Sequence, residues 1–164
     1  MLAPEGQAAS AMIESDLPTK LYYTAFRDNA FDTHVHQNNL HTRLLTYASD
    51  AIRGFMSDLE RMGKSNDVVL LVMTEFGRRV PENTSLGTDH GSAGPMFIIG
   101  SSVKGGHYGE IPDLVNGLDE GDNLKYTTDF RSVYATLIDR WLEVDSKNIL
   151  RKTFQTFDIF DRTV

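Results

Sequence analysis

The chain has 164 residues, of which 40% are hydrophobic and 24% charged, an ordinary composition for one globular domain. Its formal net charge of −7, from 16 basic and 23 acidic residues, argues against a nucleic-acid-binding face and against binding to anionic membrane surfaces, since no dense Lys/Arg block is present. Cysteine is absent, which excludes disulfides and thiolate metal sites, and no apolar run approaches the roughly 18 residues of a membrane span.

The first part of the chain predicts a short helix, a strand, a loop and a long helix, in that order. Residues 6–16 favour the short helix, and the aromatic-rich segment 21–26 favours the strand. The loop is expected from Asp28 to Gln37. Residues 39–62 give the clearest helix because apolar side chains recur at helical spacing, and Gly63 offers a C-terminal stop.

The apolar run 68–73 predicts a buried strand directly after this helix. Strand, loop, helix and strand in this order make a βαβ unit, which implies parallel pairing. The remaining elements are expected to be a polar loop, a short strand, a long irregular segment and a helix, over residues 79–94, 96–99, 100–125 and 128–142. Thr127 or Thr128 is the expected N-cap of that helix. The tail 147–164 is too apolar for a disordered end, so we expect it to dock on the fold.

Acidic residues and histidines cluster at three loop positions beside predicted strand ends, where open α/β sheets place their ligands. Carboxylate with imidazole is a ligand set for Zn or Mn, whereas oxygen ligands alone would favour Mg or Ca. Together the clusters indicate a site for a divalent metal. The candidate ligands are Asp32, His34, His36, Glu75, Asp89 and His90.

Each cluster alone also has a structural interpretation. An Asp-His pair in a loop is more often a turn with a solvated histidine, and Glu75 could cap a helix or bind Arg78. Arg78 and Arg79 could bind an anionic substrate, because a guanidinium fork suits phosphate or sulfate. A surface ion pair with Glu82 is the alternative for these arginines.

Four segments of the sequence are distinctive: Phe31-Asp32-Thr33-His34, Thr74-Glu75-Phe76-Gly77-Arg78, Gly87-Thr88-Asp89-His90-Gly91 and Thr128-Asp129-Phe130-Arg131. They resemble a bacterial family named domain of unknown function 1501, and the resemblance extends from about Leu17 to Leu142. That family is similar to the alkaline phosphatase and sulfatase superfamily. The resemblance implies a partial doubly wound α/β fold, with a mostly parallel sheet flanked by helices, and a metal-dependent site for phosphate or sulfate esters.

For the first metal, the resemblance implies Asp32 with one of two histidines. The superfamily usually has Asp and His four positions apart, which favours His36. The family's own Asp-Thr-His run favours His34. Both histidines remain candidates at this stage.

For the second metal, the resemblance allows two registers. In one, Asp89 and His90 form the superfamily's Asp-His-Gly motif. In the other, Glu75 holds that place, Phe76 replaces the histidine, and His90 is the later histidine of the first metal. The second register is preferred because the motif normally ends a buried strand, as Glu75 does in the predicted fold.

The expected function is therefore that of a metal-dependent phosphatase- or sulfatase-like hydrolase, with residues 1–164 as one α/β domain. Only one predicted helix and one strand precede Asp32, whereas the superfamily carries a metal-binding Asp and its nucleophile in that region. We therefore expect the chain to be the C-terminal portion of a longer protein.

The expected partners are a divalent metal (Zn, Mn, Mg or Ca), a small anionic ester and the N-terminal portion of the parent chain. The alternative is a non-catalytic binding or interaction module that keeps the fold. The sequence shows no signal peptide. Because family members often carry an export signal, the parent protein is expected in the periplasm if exported and in the cytoplasm otherwise.

Overall fold

The structure, a computed structural model, describes residues 4–26 and 29–161, so Asp28 at the start of the predicted loop and residues 162–164 of the predicted tail lie outside it. No helix in the described ranges is long and apolar enough to cross a lipid bilayer. The elements in chain order are helix α1 (Pro4–Glu14), helix α2 (Gln37–Arg61), strands β1 (Leu70–Val72), β2 (Gly77–Arg78), β3 (His90–Gly91) and β4 (Phe97–Ile99), helix α3 (Phe130–Thr136), a π-helical turn (Leu137–Trp141) that continues α3, and helix α4 (Ser146–Leu150).

Helix α2 confirms the predicted long helix and ends where the sequence indicated. Gly63 has a φ of 68°, the left-handed conformation that glycine adopts without steric cost. The N–H of Gly63 donates to the carbonyl of Glu60 at 3.0 Å, and that of Lys64 donates to Leu59 at 2.8 Å. These two bonds form a Schellman motif, which satisfies the last carbonyls of the helix. Leu59 is fully buried and anchors the same end of α2 in the core.

The strands form two short antiparallel pairs. Strand β1 pairs with β4, and β2 pairs with β3, with Arg78 opposite His90. The strand predicted at residues 21–26 is wrong, because that segment forms no strand and its Leu21 and Tyr23 are exposed. Aromatic residues favour strands only where a pleated, half-buried surface is available to them. Within the described residues the expected parallel pairing is therefore not present, and the doubly wound, alkaline phosphatase-like sheet stays a prediction.

The helix predicted over 128–142 corresponds to α3 and its π-helical continuation, but its cap differs from the prediction. Asp129, and not Thr127 or Thr128, is the N-cap, and its Oδ1 accepts from the N–H of Arg131 at 2.9 Å. The guanidinium of Arg131 also donates to Asp129, with Nη2 2.6 Å from Oδ2. This added ion pair explains why the aspartate is used in preference to a threonine hydroxyl.

The described part of the tail docks on the fold, which confirms that prediction. Ile159 and Phe160 are buried, and Phe160 forms an antiparallel bridge with Val103. The fully buried Thr136 of α3 accepts a hydrogen bond from the backbone N–H of Phe157 at 3.0 Å. The tail thus forms part of the core beside α3, and the loops that carry the acidic and histidine residues lie at the start of α2 and around β2 and β3.

Candidate metal centre

Three donor atoms from two distant loops converge in the structure. Oδ1 of Asp32 lies 2.7 Å from Nε2 of His90 and 3.1 Å from Nε2 of His34. The two Nε2 atoms are 3.0 Å apart, although their residues are separated by 56 positions. Within residues 4–26 and 29–161, this is the group of acidic and histidine side chains that could hold a metal ion.

The arrangement is compatible with a divalent cation at its centre. An imidazole nitrogen has a single in-plane N–H or lone pair, so two such nitrogens and one oxygen in mutual contact cannot all pair well with each other. A metal about 2.0–2.2 Å from each donor would hold neighbouring donors about 2.9 Å apart at right angles and about 3.4 Å apart in a tetrahedron. The observed separations of 2.7, 3.0 and 3.1 Å match the right-angled arrangement.

The group is also open to solvent. The side chains of Asp32, His34 and His90 are 34, 40 and 46% exposed. Structural metal sites are closed by protein ligands, whereas sites that act on a substrate leave coordination positions free. The exposure therefore favours a site that a small molecule can reach.

The electrostatics prepare Asp32 as an anionic ligand. The hydrogen bond from His90 lowers the pKa of Asp32, and the bond from His34 adds to it, although partial desolvation acts in the opposite direction. A carboxyl group with a lowered pKa is ionised at neutral pH. Asp32 therefore needs no proton loss when a cation binds.

Asp89 lies on the far side of the His34 ring from this group. Its Oδ1 is 3.7 Å from Nδ1 of His34, which is ion-pair distance but too long for a hydrogen bond. At this distance the carboxylate acts on the His34 ring by electrostatic attraction at its Nδ1 side, without the hydrogen bond that would fix the ring tautomer. The position of Asp89 thus suits support of His34 rather than membership of the group.

The loop before α2 is fixed by a buried glutamine at the first turn of the helix. Gln37 donates from Nε2 to the carbonyl of Thr33 at 2.9 Å, and its Oε1 accepts from the hydroxyl of Thr88 at 2.9 Å. Thr33 and Thr88 each stand immediately before a candidate site residue in the chain. One side chain therefore links the segment of Asp32 and His34 to the segment of Asp89 and His90.

Asn83 makes a second link between the same two segments. Its Nδ2 donates to the carbonyl of His34 at 3.1 Å and to Oδ1 of Asp89 at 3.2 Å. Its Oδ1 accepts from the N–H groups of Ser85 and Gly87 at 2.9 and 3.0 Å. A Cβ on Gly87 would overlap the carbonyl of His34, so only glycine allows the two backbones to lie this close.

Strands β2 and β3 place Phe76 and Arg78 against the group. The ring of Phe76 stacks on that of His90, with centroids 3.6 Å apart and an interplanar angle of 16°. The guanidinium of Arg78 lies 5.2 Å from the Phe76 centroid. Its Nη1 donates to the carbonyl of Thr88 at 2.7 Å and its Nη2 to that of Phe31 at 2.8 Å.

Comparison with known protein families places residues 8–154 of the chain in a family. A family model described as protein of unknown function (DUF1501) matches residues 8–154. The chain belongs to this family. No curated protein and no solved structure is significantly similar to it.

In this DUF1501 protein the predicted ligands divide into three sets. Asp32, His34 and His90 come together, and Asp89 lies beside His34. His36 and Glu75 are exposed and lie outside the group: His36 caps α2 with a φ of 45°, and Glu75 occupies the bend before β2. The predicted contact of Arg78 with a substrate stays a prediction. Two of the five N–H groups of Arg78 donate to backbone carbonyls.

Sequence reasoning missed the residues that support the group. Four of them, Thr33, Phe76, Gly87 and Thr88, stand inside the segments that resemble the family, so their position in those motifs was an available signal. Gln37 and Asn83 gave no such signal, because an amide side chain in a polar loop has many possible partners.

Proposed function

We propose that this DUF1501 protein binds a divalent cation through Asp32, His34 and His90. We further propose that the centre belongs to a metal-dependent hydrolase of phosphate or sulfate esters, of which this chain is the C-terminal portion with an alkaline phosphatase-like fold. The observation that carries the proposal is the meeting of two imidazole nitrogens and one carboxylate oxygen within 2.7–3.1 Å of each other.

The composition of the group supports the hydrolase part of the proposal. The resemblance implies, in its second register, a first-metal site of one aspartate, one nearby histidine and His90. Asp32, His34 and His90 are such a set, and they favour His34 over His36 as the nearby histidine. Two imidazoles and one carboxylate favour Zn or Mn over Mg or Ca.

The residues around the group have separable tasks in this proposal. Asp32 brings a negative charge that offsets the cation, and Asp89 adds a second negative charge beside the His34 ring. The exposed side of the group admits a small ester, and the remaining N–H groups of Arg78 are the proposed contact for its anionic oxygens. A divalent ion at the centre would stabilise negative charge on phosphoryl or sulfuryl oxygens during hydrolysis.

Titration of the purified, metal-free protein with Zn²⁺ and Mn²⁺ by calorimetry tests the cation site. We expect one ion per chain, and His34→Ala should weaken binding at least a hundredfold. His36→Ala is the matched control, because His36 is two positions away and outside the group. Equal affinities of the two variants, or a wild-type protein that binds neither ion, would overturn the proposal.

A non-catalytic binding module is the second candidate. Phe76 stands where the resemblance implies a histidine of the second metal, and its ring covers a face of His90. Glu75 is outside the group. Assays of the parent protein with aryl phosphate and aryl sulfate esters separate the two functions. Turnover that chelator abolishes and Zn²⁺ or Mn²⁺ restores supports the hydrolase, whereas metal binding without turnover supports the module.

A further inference from the structure

We infer that Arg78 is a positioning residue of the metal centre. Arg78 joins the Asp32 segment to the Asp89–His90 segment and holds Phe76 against the His90 ring. The inference rests on the proposed cation site. It assigns to Arg78 a task in metal binding that is separate from the predicted contact with a substrate.

The first observation is the pair of acceptors that the guanidinium joins. One Nη donates to the carbonyl of Phe31, the residue before Asp32, at 2.8 Å. The other donates to the carbonyl of Thr88, the residue before Asp89, at 2.7 Å. A planar fork with donors on both sides can span two carbonyls in fixed directions, whereas a lysine ammonium is a point charge on a flexible stem.

The second observation is the stack that Arg78 completes. The guanidinium lies over the Phe76 ring, and that ring lies nearly parallel to the ring of His90 at 3.6 Å. The pairing of β2 with β3 sets Arg78 opposite His90, so the strand register holds the stack in place. The plane of an imidazole decides where its lone pair points, and stacking therefore fixes the direction of Nε2 towards Asp32.

These contacts give Arg78 an effect on both sides of the group. The hydrogen bonds set the separation of the two segments, and the stack sets the tilt of His90. Donors have to be held within about 0.5 Å of their binding positions for full affinity. Loss of either contact is therefore expected to weaken cation binding even when no substrate is present.

The test compares Zn²⁺ affinity in the wild-type protein, Arg78→Lys, Phe76→Leu and Arg79→Lys, measured by calorimetric titration without any ester. Loss of residues that support metal ligands costs about 10- to 100-fold in affinity. We expect a loss in that range for Arg78→Lys and a smaller one for Phe76→Leu. Arg79 is the adjacent arginine with an exposed side chain, and Arg79→Lys should stay within about twofold of wild type.

A spectroscopic measurement separates positioning from general destabilisation. With Co²⁺ as the probe ion, Arg78→Lys should change the visible absorption of the bound ion, because the donor geometry changes. Circular dichroism should keep the wild-type signal. Wild-type Zn²⁺ affinity and an unchanged Co²⁺ spectrum in Arg78→Lys would overturn the inference.

If Arg78→Lys loses its folded signal, Phe76→Leu tests the stack alone, since it keeps the guanidinium hydrogen bonds. Wild-type Zn²⁺ affinity and an unchanged Co²⁺ spectrum in Phe76→Leu would then overturn the inference. Failure of the wild-type protein to bind Zn²⁺, Mn²⁺ or Co²⁺ would instead overturn the proposed function.

Discussion

Substitution of Gly87 by alanine tests whether the close approach of two backbones builds the metal centre. A Cβ at this position overlaps the carbonyl carbon and oxygen of His34 and comes within 3.2 Å of the backbone nitrogen of Val35. These atoms are backbone, so no side-chain rotation relieves the overlap. The segments of His34 and Asp89 have to move apart, and the Asn83 hydrogen bond that joins them is stretched.

The size of the effect follows from this geometry. Overpacking in a close contact costs about 1–3 kcal/mol. For a chain of this length each kcal/mol lowers the melting temperature by roughly 2–4 °C, so Gly87→Ala should lower it by roughly 2–12 °C. The Cβ would lie 2.2 Å from the His34 oxygen, and a tolerable contact of at least 3.0 Å requires a movement of roughly 0.8 Å. This exceeds the tolerance of about 0.5 Å for metal donors, so we expect at least a tenfold weaker Zn²⁺ affinity.

Gly63→Ala is the matched control for Gly87→Ala. Gly63 has a positive φ, of 68°, whereas no atom lies within 4 Å of the position that its Cβ would take. Its cost is therefore only that of the left-handed conformation, about 1–2 kcal/mol. Thermal unfolding and Zn²⁺ titration of both variants check the reasoning. It is refuted if Gly87→Ala binds Zn²⁺ like wild type, or if Gly63→Ala loses as much affinity.

Three further predictions concern other contacts. Asp89→Asn keeps the shape but removes the charge beside His34. Zn²⁺ affinity should fall by severalfold, less than the roughly 10- to 100-fold typical of hydrogen-bonded support, because Asp89 is half exposed and 3.7 Å from the ring nitrogen, and unchanged binding in a titration would contradict this. The hydrogen bond from Arg131 lowers the pKa of Asp129 to about 2 from 3.8. The carboxylate's stabilising contribution is therefore complete above about pH 4 and is lost as the pH falls through about 2; an NMR titration should place its midpoint there, and Arg131→Gln should move it up. Thr136→Val leaves a backbone N–H of the tail without its acceptor and should cost about 1–3 kcal/mol in unfolding by denaturant, whereas Thr136→Ser should cost much less.

Helices α1, α2 and α3 were predictable because their signals are local, whereas the short helix α4 within the tail was not predicted. Apolar spacing and Gly63 determine α2, which ends at Arg61, two residues before that glycine. The segment 21–26 had an equally clear local signal, yet it forms no strand. A strand needs a partner, and partners depend on contacts between distant parts of the chain that composition does not reveal.

The donors of the candidate centre were predictable as residue types, but their grouping was not. The sequence proposed six ligands at three clusters, and the structure brings three of them together. Spacing along the chain could not decide between His34 and His36. The left-handed φ of 45° at His36 turns the chain into α2 at that residue, and this depends on backbone hydrogen bonds from His36 and Gln37 to the 83–89 loop.

Phe76 gives a physical reason to expect one bound ion rather than two. In the preferred register of the resemblance, the superfamily has a histidine of the second metal at this position. A phenyl ring has no lone pair to offer a cation, and here it lies on the face of His90 with 16° between the planes. In that register the substitution would exchange a ligand for a support, in line with the single group of three donors in the part of the chain that the structure describes. Any second ion would have to be held by donors outside this group, so the chemistry proposed for the centre depends on how well Arg78 and Phe76 orient His90.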